Sequence, residues 1–261
     1  MSARVGSNMA AKFGGVAGLS MSIQGVSCVP MIWKVFLAVL LLSTGVACGP
    51  KPPEYVSRYT PPPNLGPALA VAVIGDSSVG GSDMGGHQAK GWPSLVATRL
   101  RQDGIPASLV LGTERGSGFA VKGPKYGSVF ADQVPRVVGP RTRLVILFGS
   151  RLDAEAAAPE IVDVAVRQTF SAVKLAAPAA RMLVIAPISV TATPTMGLLQ
   201  VRDILRNQSA AVGAAFVDPV ADGWFADRPD LIGTDRINPT DAGHKYMSEK
   251  IEPFVAQELG R

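Results

Sequence analysis

The chain has 261 residues, 47% of them hydrophobic and 17% charged, which is apolar enough to bury a sizeable core and excludes a disordered chain. Its 28 glycines follow no period of three, so collagen is excluded, and two cysteines, Cys28 and Cys48, are too few and too N-terminal for a disulfide scaffold. Most of the net charge of +5 sits in residues 1–67, where Arg4, Lys12, Lys34, Lys51 and Arg58 outnumber the single acid Glu54; the near-neutral remainder gives no reason to expect a nucleic acid partner.

Residues 31–48 read MIWKVFLAVLLLSTGVAC: Lys34 is a short basic segment, residues 35–42 are an apolar core, and small residues lead to Cys48. This is the layout of an export signal, and it is short for a membrane-spanning helix. Val46-Ala47-Cys48-Gly49 resembles a bacterial lipobox, with Gly45 where leucine is usual. That resemblance implies that Cys48 becomes the lipidated first residue of an exported, membrane-anchored lipoprotein. A cleaved and secreted chain and an uncleaved anchor are the two other outcomes left open. Residues 1–30 are Gly/Ala/Ser-rich without periodicity, and Met31 would make a better start. Residues 48–67, with Pro50, Pro52, Pro53, Pro61, Pro62, Pro63 and Pro67, favour an extended polyproline II spacer. The expected organisation is a leader over 1–47, a Pro-rich linker over 48–67 and one domain over 68–261.

From residue 68 strands alternate with helices. Residues 68–75 (ALAVAVIG) form a short apolar run ending in glycine, a buried strand; residues 92–103 have apolar side chains at helical spacing; residues 107–112 are a second strand. Residues 144–149 (LVILFG) are the third and most apolar strand, residues 155–176 a long amphipathic helix, and residues 181–187 (RMLVIAP) the fourth strand. Residues 196–212 are helical, residues 214–218 a short fifth strand, and residues 240–259 a closing helix with Thr240 as its N-cap. Continuously apolar strands alternating with helices specify a parallel sheet covered on both faces. The expected fold is α/β, a three-layer α/β/α sandwich with a flavodoxin-like sheet of about five strands.

In such sheets function sits at the carboxyl ends of the strands. Those ends read Gly75-Asp76-Ser77-Ser78, then Gly116-Ser117-Gly118, then Gly149-Ser150-Arg151-Leu152-Asp153. Ser77 is the candidate nucleophile: it lies where the chain must turn out of the first strand, and it needs a base and oxyanion donors. Val79 two residues later rules out the G-x-S-x-G elbow. No dinucleotide turn, P-loop or metal-ligand cluster is evident, so neither cofactor nor metal is expected. Trp224-Phe225 reads as core packing, with an acyl-pocket wall as the alternative.

Gly75-Asp76-Ser77 resembles the first block of the SGNH (GDSL) hydrolase family. Ser117-Gly118 is similar to the second block, whose glycine N–H lines the oxyanion hole; Gly149 to Asp153 occupies the place of the third. Asp235-Arg236-Ile237-Asn238-Pro239 resembles the fifth block, D-x-x-H-P. The resemblance spans roughly residues 68–258 and implies a Ser–His–Asp esterase or acyltransferase. It assigns Ser77 as nucleophile, Gly118 as oxyanion donor and Asp235 as the acid of the triad. Two positions depart from the pattern. Asn238 stands where the family has its general base, and an amide takes no proton at neutral pH. The oxyanion asparagine is replaced by Leu152 or Arg151, depending on register. Losing one oxyanion donor costs about 2.7–4 kcal/mol, and losing a triad histidine on the order of 10⁶ in turnover.

Only His87 and His244 could replace the base. His87, in the glycine-rich loop after Ser77, is the better substitute; His244 reads as a surface or capping histidine. Arg151 could bring charge to the oxyanion, and Asp235 could still bond Asn238. Two functions follow: an exported esterase of impaired activity acting on acyl or acetyl esters of lipids or glycans, or a non-catalytic envelope protein that recognises such an ester. The partners expected are a small-molecule or glycan ester and a membrane reached by the lipid anchor, with the protein a monomer.

Overall fold

The computed structural model of the chain describes residues 67–260. The leader, the linker and Cys48 lie outside the described residues.

Five strands, β1 (Leu69–Gly75), β2 (Ala107–Thr113), β3 (Thr142–Phe148), β4 (Arg181–Ile185) and β5 (Ala215–Val217), form one sheet in the order β2-β1-β3-β4-β5. Every pairing is parallel. Successive strand residues point to opposite faces, and two cores result. Val71, Val73, Leu144, Ile146, Phe148, Leu183 and Ile185 face one side, packed with Trp92, Val96 and Leu100 of α2 (Trp92–Gln102) and Met247, Ile251 and Val255 of α7 (Asp241–Glu258). Ala72, Ile74, Val145, Leu147 and Val184 face the other, against α3 (Phe130–Val137), α5 (Pro159–Ala176) and α6 (Met196–Val212). The expected three-layer α/β/α sandwich is the observed one.

Local chemistry explains most boundaries. The Thr240 hydroxyl accepts the Gly243 N–H and starts α7 as expected. Gly213, left-handed at φ 67, ends α6. The helix expected over 155–176 is two: α4 (Arg151–Ala156) stops before Ala157, and Pro159 opens α5 at its first turn. Two helices were not expected. α1 (Ser77–Gly80) is a single turn, and α3 carries an internal Pro135.

The strand order reverses between β1 and β3: β2 lies on one side of β1, while β3, β4 and β5 follow on the other. A crevice opens at the carboxyl ends of strands at such a switch point. Here it is flanked by Asp76-Ser77 after β1 and Gly149-Ser150-Arg151 after β3.

Candidate active site

Ser77 is the first residue of α1, immediately past the end of β1. The turn is held by Asp76, whose buried carboxylate accepts the Ser78 N–H at 2.8 Å and the Ser150 hydroxyl at 2.8 Å. Asp76 therefore ties the nucleophile turn to the end of β3. Burial pushes its carboxyl up, and these bonds with the Arg151 charge offset only part of the rise. Gly75 is needed at the turn because a Cβ there would collide with Val79.

The half-buried Ser77 hydroxyl donates to Asn238 Oδ1 at 2.9 Å. Asn238 Nδ2 donates to Asp235 Oδ2 at 2.6 Å. The other oxygen of Asp235 accepts the N–H groups of Ile237, at 2.9 Å, and Asn238, at 3.0 Å. Burial alone would raise the Asp235 carboxyl; the Asn238 amide, those two N–H groups and the Arg151 charge outweigh it and hold it below the ordinary carboxylate range. The sequence 235–239 thus closes a tight turn, with Gly233 N–H on the Asn238 carbonyl at 2.8 Å. Arg236 sits at its tip in the left-handed region, φ 57, a conformation that costs a non-glycine residue about 1–3 kcal/mol.

Ser77, Asn238 and Asp235 share a cavity of about 310 Å³ with Arg115, Gly116, Gly149, Arg151 and Ile188. Arg151 lines the cavity wall, where it pairs with Glu155 one turn along α4. Leu152, the other register of the missing asparagine, also lines the cavity. Three expectations are corrected. Gly118 is no oxyanion donor here: its N–H donates to the Val121 carbonyl at 2.8 Å, and a Cβ at Gly118 would strike the Asp153 carboxylate. His87 is exposed, caps the short turn over Gln88–Lys90 and does not line the cavity. His244 is fully buried, neither surface nor cap. Its Nδ1 accepts the Trp92 N–H at 3.4 Å, and its Nε2 has no partner among the described residues. Trp224 and Phe225 are core residues, 2% and 1% exposed.

The glycine that does reach the cavity is Gly116, in the left-handed region at φ 81. Its N–H has no acceptor among the described residues, and the Ser77 N–H opens a helix, where no internal acceptor exists. Unspent on any acceptor among the described residues, these two N–H groups are candidate oxyanion donors at the cavity. The presence of glycines at 116 and 118 marked the loop, but only its path separates them.

That path is set by two buried carboxylates. Glu114 accepts the N–H groups of Lys125 (2.9 Å), Tyr126 (2.6 Å) and Ser128 (3.1 Å) and the Ser128 hydroxyl. Burial would raise the Glu114 carboxyl, but the Ser128 hydroxyl and the three N–H groups bring it to about 2. Asp153, 0% exposed, accepts the N–H groups of Phe119, Ala120 and Val121 at 2.8–3.1 Å. Together they fix the loop on which Gly116 sits. Among the described residues no cluster of three or more metal-ligating side chains occurs.

A serine just past the first strand of a parallel sheet, bonded through one side chain to an aspartate just before the last helix, is the arrangement of an SGNH-type ester hydrolase. The chain belongs to the GDSL-like lipase/acylhydrolase family, whose model matches residues 73–246. It is 44% identical over 191 residues to a protein named GDSL lipase Rv0518 from Mycobacterium tuberculosis (strain ATCC 25618 / H37Rv), covering 72% of this chain and 82% of that one. Solved structures of the same fold include TesA, with a TM-score of 0.61, 17% identity, and coverage of 73% of this chain and 99% of that one. An active-site mutant of a family two carbohydrate esterase from Clostridium thermocellum matches with a TM-score of 0.58 at 18% identity over 74% of this chain. This chain spans 64% of that esterase's length. Est24, a carbohydrate acetylesterase from Sinorhizobium meliloti, matches with a TM-score of 0.56 at 14% identity, covering 72% of this chain and 99% of that one.

Proposed function

We propose that the protein is an exported ester hydrolase of the SGNH type, acting on acyl or acetyl esters of envelope lipids or glycans at a rate limited by Asn238. One observation carries this reading: the Ser77 hydroxyl is held at 2.9 Å by Asn238, which is itself held at 2.6 Å by Asp235. The chain of hydrogen bonds runs as in a Ser–His–Asp triad, but its middle member cannot accept the proton. Ser77 would attack the ester carbonyl carbon, and the N–H groups of Ser77 and Gly116 would meet the developing oxyanion. The serine proton would pass to solvent. The alkoxide leaves, taking a proton from water, and water hydrolyses the acyl-serine. The relatives, a lipase and carbohydrate esterases by name, support ester substrates of these classes.

The same asparagine favours a second reading, a cleft that binds an ester without cleaving it, because among the described residues no proton-accepting side chain touches the Ser77 hydroxyl. A fluorophosphonate probe on the full chain separates the two. Labelling lost in Ser77→Ala supports the hydrolase. Absence of labelling, with no p-nitrophenyl ester hydrolysis over pH 6–9, leaves only binding. The signal-like residues 31–48 support export and anchoring through a lipid on Cys48; membrane retention that survives Cys48→Ala would contradict that anchor. Among the described residues no helix is long and apolar enough to cross a membrane.

A further inference from the structure

A second cavity, of about 320 Å³, adjoins the Ser77 cavity and shares Arg151, Ile188 and Ile237 with it. Val190 and Leu198 extend its apolar wall, Thr191, Thr195 and the Arg151-paired Glu155 add polar groups, and Arg236 closes one side. Three arginines line the two cavities: Arg115, Arg151 and Arg236. Arg115 is paired with Asp83 at 3.0 Å, and Arg151 with Glu155. Arg236 alone has no ion-pair or hydrogen-bond partner for its guanidinium among the described residues. It is exposed and stands one residue from Asp235 of the site and one from Ile237 of the groove wall. Its left-handed backbone, pinned by the two N–H bonds to Asp235, fixes where the side chain leaves the turn. The nearest acid in sequence, Asp235, spends both oxygens on Asn238 and Ile237.

An unpaired guanidinium beside an apolar groove that opens onto a nucleophile is a recognition element for a charged amphiphile, since arginine presents a fork of donors matched to carboxylate and phosphate oxygens. We propose that the ester taken by this site carries an anionic group, a carboxylate or a phosphate, seated on Arg236, while an apolar chain lies along Ile188, Val190 and Leu198. This rests on the reading of the Ser77 cavity as an ester site. It narrows the substrate to acidic acyl esters and sets neutral glycan acetates aside.

Binding is measured on the full chain carrying Ser77→Ala, so that nothing is consumed. The probes are 1-octanoylglycerol 3-phosphate, the hemisuccinate of 1-octanoylglycerol and neutral 1-octanoylglycerol, by calorimetry in low salt. Both anionic esters, or the phosphate alone, should bind at least tenfold more tightly than the neutral one; which of the two does so tells a general anion seat from a phosphate seat. Arg236→Gln should bring that ratio to within threefold of one, and Arg236→Lys should restore part of it. Arg236→Gly suits the left-handed backbone, so loss of preference in that variant reports the missing guanidinium and not misfolding. Equal binding of charged and neutral esters, or a ratio that Arg236→Gln leaves intact, overturns the proposal. Turnover of the same three esters by the unmodified chain is read separately. An anionic preference in binding without turnover of any ester keeps this inference and defeats the hydrolase reading; turnover of all three alike does the reverse.

Discussion

Asn238 presents its carbonyl oxygen to Ser77 and its amide nitrogen to Asp235, the polarity an imidazole would present at the same place. Asn238→His should therefore drop a base into a prepared position, with one ring nitrogen on the Ser77 hydroxyl and the other N–H on Asp235. A triad histidine is worth on the order of 10⁶ in turnover where every other part is intact. The third-block asparagine is also missing here, so a gain on the order of 10³ in kcat/KM for a short-chain p-nitrophenyl ester is the expected outcome. The new activity should rise with pH as the imidazole loses its proton. Its midpoint should lie at or above the ordinary histidine value of about 6.5, because the Asp235 carboxylate favours the charged ring. An unchanged rate in a folded Asn238→His protein would move the fault to the oxyanion side.

How much of this was legible in the sequence depends on where the information sits. Strands β1 to β5 are short apolar runs, and α6 has both a cap and a left-handed glycine, so each announces itself locally. The helix expected over 155–176 is two because its first residues belong to α4 and Pro159, welcome at a first helical turn, opens α5. α3 was hidden by Pro135 and by its place among loop residues. In the site, Ser77, Asn238 and Asp235 could be found because Gly75-Asp76-Ser77 and residues 235–239 resemble the family's first and fifth blocks. Gly118 is the donor the family resemblance assigns, and sequence order says nothing of its N–H being spent on Val121. His244 was misplaced because a single polar residue near a helix start gives no sign that Gly86 and Trp92 will close over it.

His244 makes the fold sensitive to mild acid. Burial pushes its imidazole down to about 4, outweighing the attraction of Asp241, while nearby His87 works in the same direction as burial. The folded protein thus binds a proton here less readily than the unfolded chain, so stability is complete above about pH 6.5 and falls as pH drops toward 4. The loss amounts to about 3 kcal/mol over that window at 1.36 kcal/mol per pH unit. Urea unfolding at pH 7.5, 5.5 and 4.5 checks it. His244→Asn should be less stable at pH 7.5, having lost buried volume, yet its deficit should shrink as the pH falls.

Glu114 acts in a lower window. Its folded value of about 2 lies below the ordinary glutamate range, so its contribution is present above about pH 4.5 and is lost as pH falls toward 2. Glu114→Gln replaces one accepting oxygen by a donor that faces N–H groups. A buried donor left without an acceptor costs about 1–3 kcal/mol, and a loss of that size in urea unfolding at pH 7 is expected. The two proteins should converge as pH falls from about 4.5 toward 2, below most of the window in which His244→Asn and the parent come together.

The two loop glycines should fail in different ways, which tests which of them serves the oxyanion. A methyl at Gly118 would collide with the Asp153 carboxylate, which is held by three backbone N–H groups and has no room to retreat. Gly118→Ala should therefore unseat Asp153 and leave those donors unpaired, a loss of about 1–3 kcal/mol for each, seen as a fall in the unfolding midpoint. A methyl at Gly116 meets the Pro124 ring, Cδ at 2.9 Å and Cγ at 3.5 Å, and the backbone there is left-handed at φ 81. Gly116→Ala should turn the peptide and move its N–H away from Ser77. Measured in the Asn238→His background, where turnover is large enough to read, that shift should cost on the order of 10²-fold in kcat, the effect of losing one oxyanion donor, with KM changed far less. A Gly118→Ala protein of full stability and reduced kcat, beside a Gly116→Ala protein with unchanged kcat, would return the oxyanion role to Gly118.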